Sequence, residues 1–167
     1  MGVMPMRPEE QLSDLTRYTV VPRTLVFLTR GRQILLLRGA PDKKLWANRY
    51  NGLGGHIEPG EEPLHAALRE VQEEAGITPT QLELKGIIHV TRPEPPGVML
   101  FVFTGAAPES TAIASDEGQA EWVALEALTA LPVVDDLPAL LAHILPAQTV
   151  VFGHYQITDA GLEMRFN

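Results

Sequence analysis

The chain of 167 residues contains no cysteine. That excludes disulfides, thiolate-held zinc or iron–sulfur clusters and a thiol nucleophile, and nothing in the chain asks for an oxidising compartment. Basic residues are also few, 13 against 21 acidic ones, for a net charge of −8. Without a basic stripe the chain does not read as a binder of nucleic-acid polymers. Phosphate-bearing small molecules stay open as partners, provided a metal ion supplies the positive charge. Long apolar runs are missing too. The longest resemble Ile34-Leu35-Leu36-Leu37, far short of the ~18 residues of a membrane-spanning helix, so no membrane partner is expected. The opening MGVMPMRPEE has no basic segment followed by an apolar one, which does not match a signal peptide. A cytoplasmic location is the expectation.

What is present is ordinary for a globular domain: 45% hydrophobic and 20% charged residues. The length suits one domain with a core of its own. Residues 1–16, polar and interrupted by proline, are expected as a flexible arm, leaving 17–167 as a single domain. Apolar runs at 24–29 and 33–38 flank Arg30-Gly31-Arg32 and predict a hairpin. A helix is predicted over 63–75, with proline in its first turn and Gly76 at its stop. Strands are predicted over 82–91, 98–104 and 120–123, and a loop over 105–118. A short helix over 125–131, a buried one over 137–145 and a closing hairpin over 149–166 follow. Strands and helices mix without a regular βαβ alternation, so the expected fold class is α/β, a mixed sheet with helices on its faces.

Charge is concentrated in one place. Between Glu58 and Glu74 stand glutamates 58, 61, 62, 70, 73 and 74 and a single cation, Arg69. On a helix turning about 100° per residue, Glu70, Glu73 and Glu74 share one face about 100° wide. Leu64, Ala67, Leu68, Val71 and Ala75 form an apolar stripe beside it. Three carboxylates so close repel one another at the rim of a core, and a divalent cation reverses the sign. Oxygen ligands without soft ones favour Mg²⁺ or Mn²⁺. A solvated acidic face is the plainer alternative for Glu-x-x-Glu-Glu taken alone. The glycine-rich Asn51–Gly55 loop before the helix argues for a site, because its backbone can approach a ligand without interference from Cβ atoms. Glu61 can also reach back to Arg69 as an ion pair.

Gly55, five residues, Glu61, seven residues, Arg69-Glu70-Val71, one residue, Glu73-Glu74, one residue, Gly76-Ile77 matches every fixed position of the Nudix box. The chain thus resembles the Nudix family over those 23 residues. The resemblance implies the Nudix fold, an α/β/α sandwich around a mixed sheet. It implies hydrolysis of a nucleoside diphosphate linked to another moiety with Mg²⁺ or Mn²⁺. Glu70, Glu73 and Glu74 then correspond to metal-binding glutamates, Glu61 and Arg69 to a structural ion pair, and the Gly54–Gly55 backbone to the loop lining the metal site. The base that takes the proton of the attacking water is Glu70, Glu73 or Glu117.

Three further segments resemble the branch of MutT-related 8-oxo-dGTP diphosphatases, particularly of the mammalian type. In Asn51-Gly52-Leu53-Gly54-Gly55 the asparagine corresponds to one contacting the base. Ser115-Asp116-Glu117, followed by Trp122, corresponds to a distal metal-site segment containing Glu117. Asp135-Asp136 corresponds to an aspartate pair reading the purine edge, with Thr24 expected to face the same pocket. Each has a plainer alternative: a turn at Asn51-Gly52, a polar loop at 115–117, and a helix N-cap at Asp136. The tryptophan that stacks on the base in that branch is replaced near Val133-Val134, and Trp46 is expected to pack against or cap a pocket edge. The leading expectation is cleavage of a nucleoside triphosphate, including an oxidised purine one, to monophosphate and pyrophosphate. Hydrolysis of ADP-ribose or a nucleotide sugar is the alternative, and a non-catalytic nucleotide sensor is the alternative of another class. Monomer and homodimer both remain open.

Overall fold

Apolar alternation along the first two strands decides how the sheet is covered. In β1 (Val20–Arg30) Leu25 and Phe27 point to one face while Val26 and Leu28 point to the other. In β2 (Gln33–Gly39) Ile34 and Leu36 share the first face, Leu35 and Leu37 the second. Strands apolar on both sides belong at the centre of a sheet covered twice. The two pair antiparallel, Leu28 against Leu35, and Gly31 turns the chain between them at φ 58°.

The computed structural model describes residues 16–79, 81–107 and 114–167. The expected arm lies outside the described residues except for Thr16, as does 108–113 of the expected loop. The remaining strands are β3 (Tyr50–Asn51), β4 (Glu83–Thr91), β5 (Gly97–Ala106), β6 (Ala114–Ser115), β7 (Gly118–Ala124), β8 (Val151–Thr158) and β9 (Gly161–Phe166). Their order is β6-β7-β2-β1-β5-β4-β8-β9, with β3 added beside β2. β1 runs parallel to β5, and β4 parallel to β8; the other pairs are antiparallel. The sheet is mixed, as expected. Within the expected loop 105–118, Ala114 and Ser115 form a strand, and the short helix expected over 125–131 is a 3₁₀ helix, Leu125–Ala130.

Among the described residues, one helix covers each face. α1 (Pro63–Ala75) packs Ala67, Val71 and Ala75 against Val26, Leu28, Leu35 and Leu37. Alanines at two of those positions let its backbone lie close to the sheet. Leu64, assigned by its spacing to the apolar stripe, is exposed because it stands in the first turn, beyond the covered surface. α2 (Leu137–Ile144) lies on the opposite face and buries Leu137, Leu140, Leu141 and Ile144 beside Leu25, Phe27 and Ile88. Each such side chain contributes roughly 1.5–3 kcal/mol of hydrophobic burial. The result is an α/β/α sandwich.

α1 starts and stops where its local chemistry dictates. The Glu62 carboxylate accepts from the Leu64 and His65 N–H groups, Pro63 supplies a fixed φ in the first turn, and Gly76 closes the helix at φ 65°. These ends place Arg69, Glu70, Glu73 and Glu74 opposite the glycine-rich loop.

Candidate active site

The loop after β3 is pinned to β1. Leu53 and Val26 exchange two backbone bonds of 3.1 and 2.6 Å, and the Thr24 N–H donates to the Gly55 carbonyl at 2.9 Å. Two glycines make this approach possible for different reasons. At Gly54, φ is 146°, and a Cβ would run into the Thr24 backbone carbonyl. At Gly55 a Cβ would occupy the space of the Glu70 carboxylate. The loop therefore presents bare backbone to an acidic side chain of the helix.

Arg69 organises the acids. Its Nε donates to Glu61 Oε1 at 2.7 Å and its Nη2 to Glu61 Oε2 at 3.0 Å, a fork gripping both oxygens. Nη2 also donates to the His56 carbonyl at 3.0 Å, while Nη1 donates to Glu70 at 2.8 Å and to Glu73 at 3.1 Å. One guanidinium thus ties the loop, the turn and the helix together. The bonds from Arg69 and from the Glu58 N–H hold the Glu61 carboxyl down to about 2.

The three helix glutamates meet different surroundings. Glu73 is exposed, and Glu70 is largely covered. Glu74 is 4% exposed and accepts from the Gly54 N–H at 2.7 Å. Burial pushes its carboxyl up to about 8, and the negative charges of Glu70 and Glu117 add to the rise. Glu117 itself pairs with Lys43, whose charge eases Glu74 only in part. Among the described residues no three acidic or histidine side chains converge as a ready ligand set, since Glu73 is held by Arg69 and Glu74 is turned under the loop. The surroundings nevertheless suit a hard divalent cation. The donors are carboxylates and backbone carbonyls, and the buried acid at their centre is short of positive charge.

A second polar group gathers at the start of α2. Tyr50 bridges Val133: its N–H donates to the Pro132 carbonyl at 2.9 Å, and its carbonyl accepts from Val134 at 3.0 Å. This brings the Asn51 segment beside the Asp135–Asp136 segment. Asn51 Oδ1 accepts from the Gly52 N–H at 2.8 Å, leaving its amide N–H groups available. The aspartate pair is split. Asp135 is exposed and bound to Arg49 at 2.6 Å. Asp136 is partly buried and makes no capping bond to α2. Its carboxyl is pushed up by burial and by the charge of Asp135.

Thr24 is not part of this group. Strand alternation turns it to the α1 face with Val26 and Leu28, beneath the Gly54–Gly55 loop, where it is buried and its hydroxyl has no partner. Trp46 stands half-exposed at φ 60°, and Val134 is core. Trp122 lies under Arg30, with 4.3 Å from the guanidinium carbon to the ring centre. Two residues not expected from the sequence belong to these groups, Lys43 and Arg49. Nothing local in the sequence marks either.

Comparison with known proteins shows the family and the fold. The family model described as NUDIX domain matches residues 19–145. The NAD-capped RNA hydrolase NudC of Pseudomonas fluorescens (strain Pf-5) is 31% identical over 149 residues, covering 86% of this chain and 50% of that protein. The chain thus spans only 38% to 50% of the length of the NudC proteins it matches. The 8-oxo-dGTP diphosphatase of Escherichia coli K12 is 31% identical over 113 residues, covering 68% of this chain and 83% of that protein. Among solved structures, the MutT protein from Bacillus halodurans superposes with a TM-score of 0.77 at 26% identity, over 89% of this chain and 98% of that one.

Proposed function

The chain belongs to the NUDIX domain family, and from that premise we propose that it is a Mg²⁺- or Mn²⁺-dependent hydrolase of nucleoside diphosphate derivatives. The substrate of this reading is a purine nucleoside triphosphate, including an oxidised one, cleaved to monophosphate and pyrophosphate. The observation that carries it is the Glu70 carboxylate lying against the side-chain-free Gly55, with Glu74 buried beside the same loop.

Glu70, Glu73, Glu74, Glu117 and the Gly55 carbonyl would hold the cation. A bound divalent ion supplies neutralisation of the pyrophosphate charge and a lowered pKa for the attacking water. The chain's own residues do the rest. Arg69 and Glu61 hold the loop against the helix, so the acids keep their positions. One carboxylate, from Glu70, Glu73 or Glu117, accepts the water's proton. Asn51, with a free amide, and Asp136 face the base.

One observation favours the alternative, ADP-ribose or a nucleotide sugar. Asp135 is engaged by Arg49, and Val133-Val134 offers no flat aromatic platform, so a purine-reading pair is incomplete.

A substrate panel decides between them. The full chain is incubated with Mg²⁺, with and without EDTA, and 8-oxo-dGTP, dGTP, other nucleotides, ADP-ribose and a nucleotide sugar. We expect EDTA-sensitive release of monophosphate and pyrophosphate from a purine triphosphate. Preference for ADP-ribose would keep the metal chemistry and discard the triphosphate substrate. Binding without turnover of any member would make the chain a sensor. Glu73→Gln and Glu74→Gln should each lower turnover by about a hundredfold or more while the chain stays folded, the size of effect expected when a group positioned for the reaction is lost. Near-normal turnover in either would sink the assignment.

A further inference from the structure

Tyr155 has no part in the reading above, yet its surroundings assign it one. It lies in β8, 3% exposed, on the sheet face covered by α2. Its hydroxyl is sealed from solvent and has no partner in good hydrogen-bonding geometry, with Asp136 beside it. Buried hydroxyls left unpaired are costly and scarce in native chains, so an orphan beside the proposed ligand site points to a partner the ligand or a neighbour completes. The neighbour is Asp136, at the start of α2. Its charge makes the Tyr155 phenol harder to ionise, and the phenol in turn eases ionisation of Asp136. Asp135 cannot take that place, because Arg49 holds it toward solvent at 2.6 Å. The groups facing the Asp136 carboxyl are therefore Tyr155 from β8 and Asp135 from its own segment, with Arg49 behind the latter.

We propose that Tyr155 is the positioning residue of base recognition: when a nucleotide is bound, its phenolic O–H donates to one Asp136 carboxyl oxygen and leaves the other oxygen to meet a hydrogen-bonding edge of the nucleobase. This rests on the nucleotide-hydrolase reading and adds the residue that sets selectivity within it. A carboxyl oxygen held this way has two states. Protonated, it offers an O–H to a base carbonyl or ring nitrogen; ionised, it accepts from a base N–H. A bond donated by Tyr155 stabilises the ionised state, so Tyr155 sets the pH at which the pocket changes from donor to acceptor. A single group thus replaces the second aspartate that the exposed Asp135 no longer supplies.

Tyr155→Phe removes the hydroxyl and keeps the packed ring. The experiment measures kcat and KM of the full chain with Mg²⁺ from acid to alkaline pH for 8-oxo-dGTP, dGTP, dATP and dCTP, alongside thermal melting. In Tyr155→Phe, kcat should change little. KM for the preferred nucleotide should rise about tenfold, as for one lost hydrogen bond to a polar partner. Discrimination against the other bases should shrink, and the pH at which KM changes should move upward. A structural role would lower the melting temperature and leave the pH profile in place. Asp136→Asn should abolish the pH dependence of KM, and adding Tyr155→Phe to it should then alter selectivity no further. A folded Tyr155→Phe with the parent's selectivity and pH profile overturns the inference and leaves the hydrolase reading standing. A wild-type chain that turns over no triphosphate overturns that reading and the inference together.

Discussion

Neighbouring glycines in the loop before α1 (Pro63–Ala75) serve different ends, and substitution separates them. Alanine at Gly54 would meet the Thr24 backbone in a conformation that side chains rarely adopt. Gly54→Ala should destabilise the chain by about 1–3 kcal/mol, read by chemical denaturation. Alanine at Gly55 would meet only the end of the Glu70 side chain, which can swing away. Gly55→Ala should melt within a few degrees of the parent yet lose about tenfold or more in turnover and in Mn²⁺ affinity, as when an outer partner that orients a metal ligand is lost. Equal stability losses in both variants would contradict this division. At the residue scale the sequence was legible where spacing alone brings groups together. Arg69, Glu70 and Glu73 are neighbours on any helix, and Glu61 reaches them through one turn. Thr24 was misread because its face depends on strand alternation relative to the helices, and the chain order does not say which helix covers which face.

Both helices were readable as elements, for different reasons. α1 carries its own stop in Gly76 and a proline start, signals that act within one turn. Its N-terminal cap, Glu62, was not anticipated, since glutamate is an uncommon cap and competes here with a crowd of other acids. α2 (Leu137–Ile144) was recognisable from its density of leucines, but Asp136 in front of it looked like a cap and makes no capping bond. The fully buried Leu140 anchors α2 to the sheet. Leu140→Ala should cost about 2–5 kcal/mol in denaturant unfolding. Because α2 also presents Asp136, the same variant should raise KM more than it lowers kcat. A loss of kcat with unchanged KM would detach α2 from base recognition.

Across the whole molecule, acids held in opposite senses set the response to pH. In metal-free protein the buried Glu74 carboxyl is pushed up to about 8 from an ordinary 4.5, and burial raises Asp136 as well. Such groups stabilise the fold fully below their unfolded value and lose that contribution as pH rises through the folded one. Glu61, held down to about 2 by Arg69, does the reverse, contributing above its ordinary 4.5 and losing it as pH falls. With EDTA present, the melting temperature should therefore be highest in mildly acid solution and fall as pH rises toward 8. Glu74→Gln should flatten the fall, and Mg²⁺ should oppose it. A melting temperature unchanged through neutral pH would contradict the burial of Glu74. By itself the sequence determined the parts built from local geometry: the acidic helix with its ends, the glycine loop, and the two central strands. These need only the helical turn, the strand's alternation and the conformational freedom of glycine. Tertiary structure alone decided the rest. Arg49 meets Val133 and Asp135 across 84 and 86 residues of chain, which separates the aspartate pair. Sheet register likewise brings Lys43 to Glu117 and Tyr155 to Asp136. Such encounters depend on which strands pair and on which face each helix lands, and no short stretch of sequence contains that information.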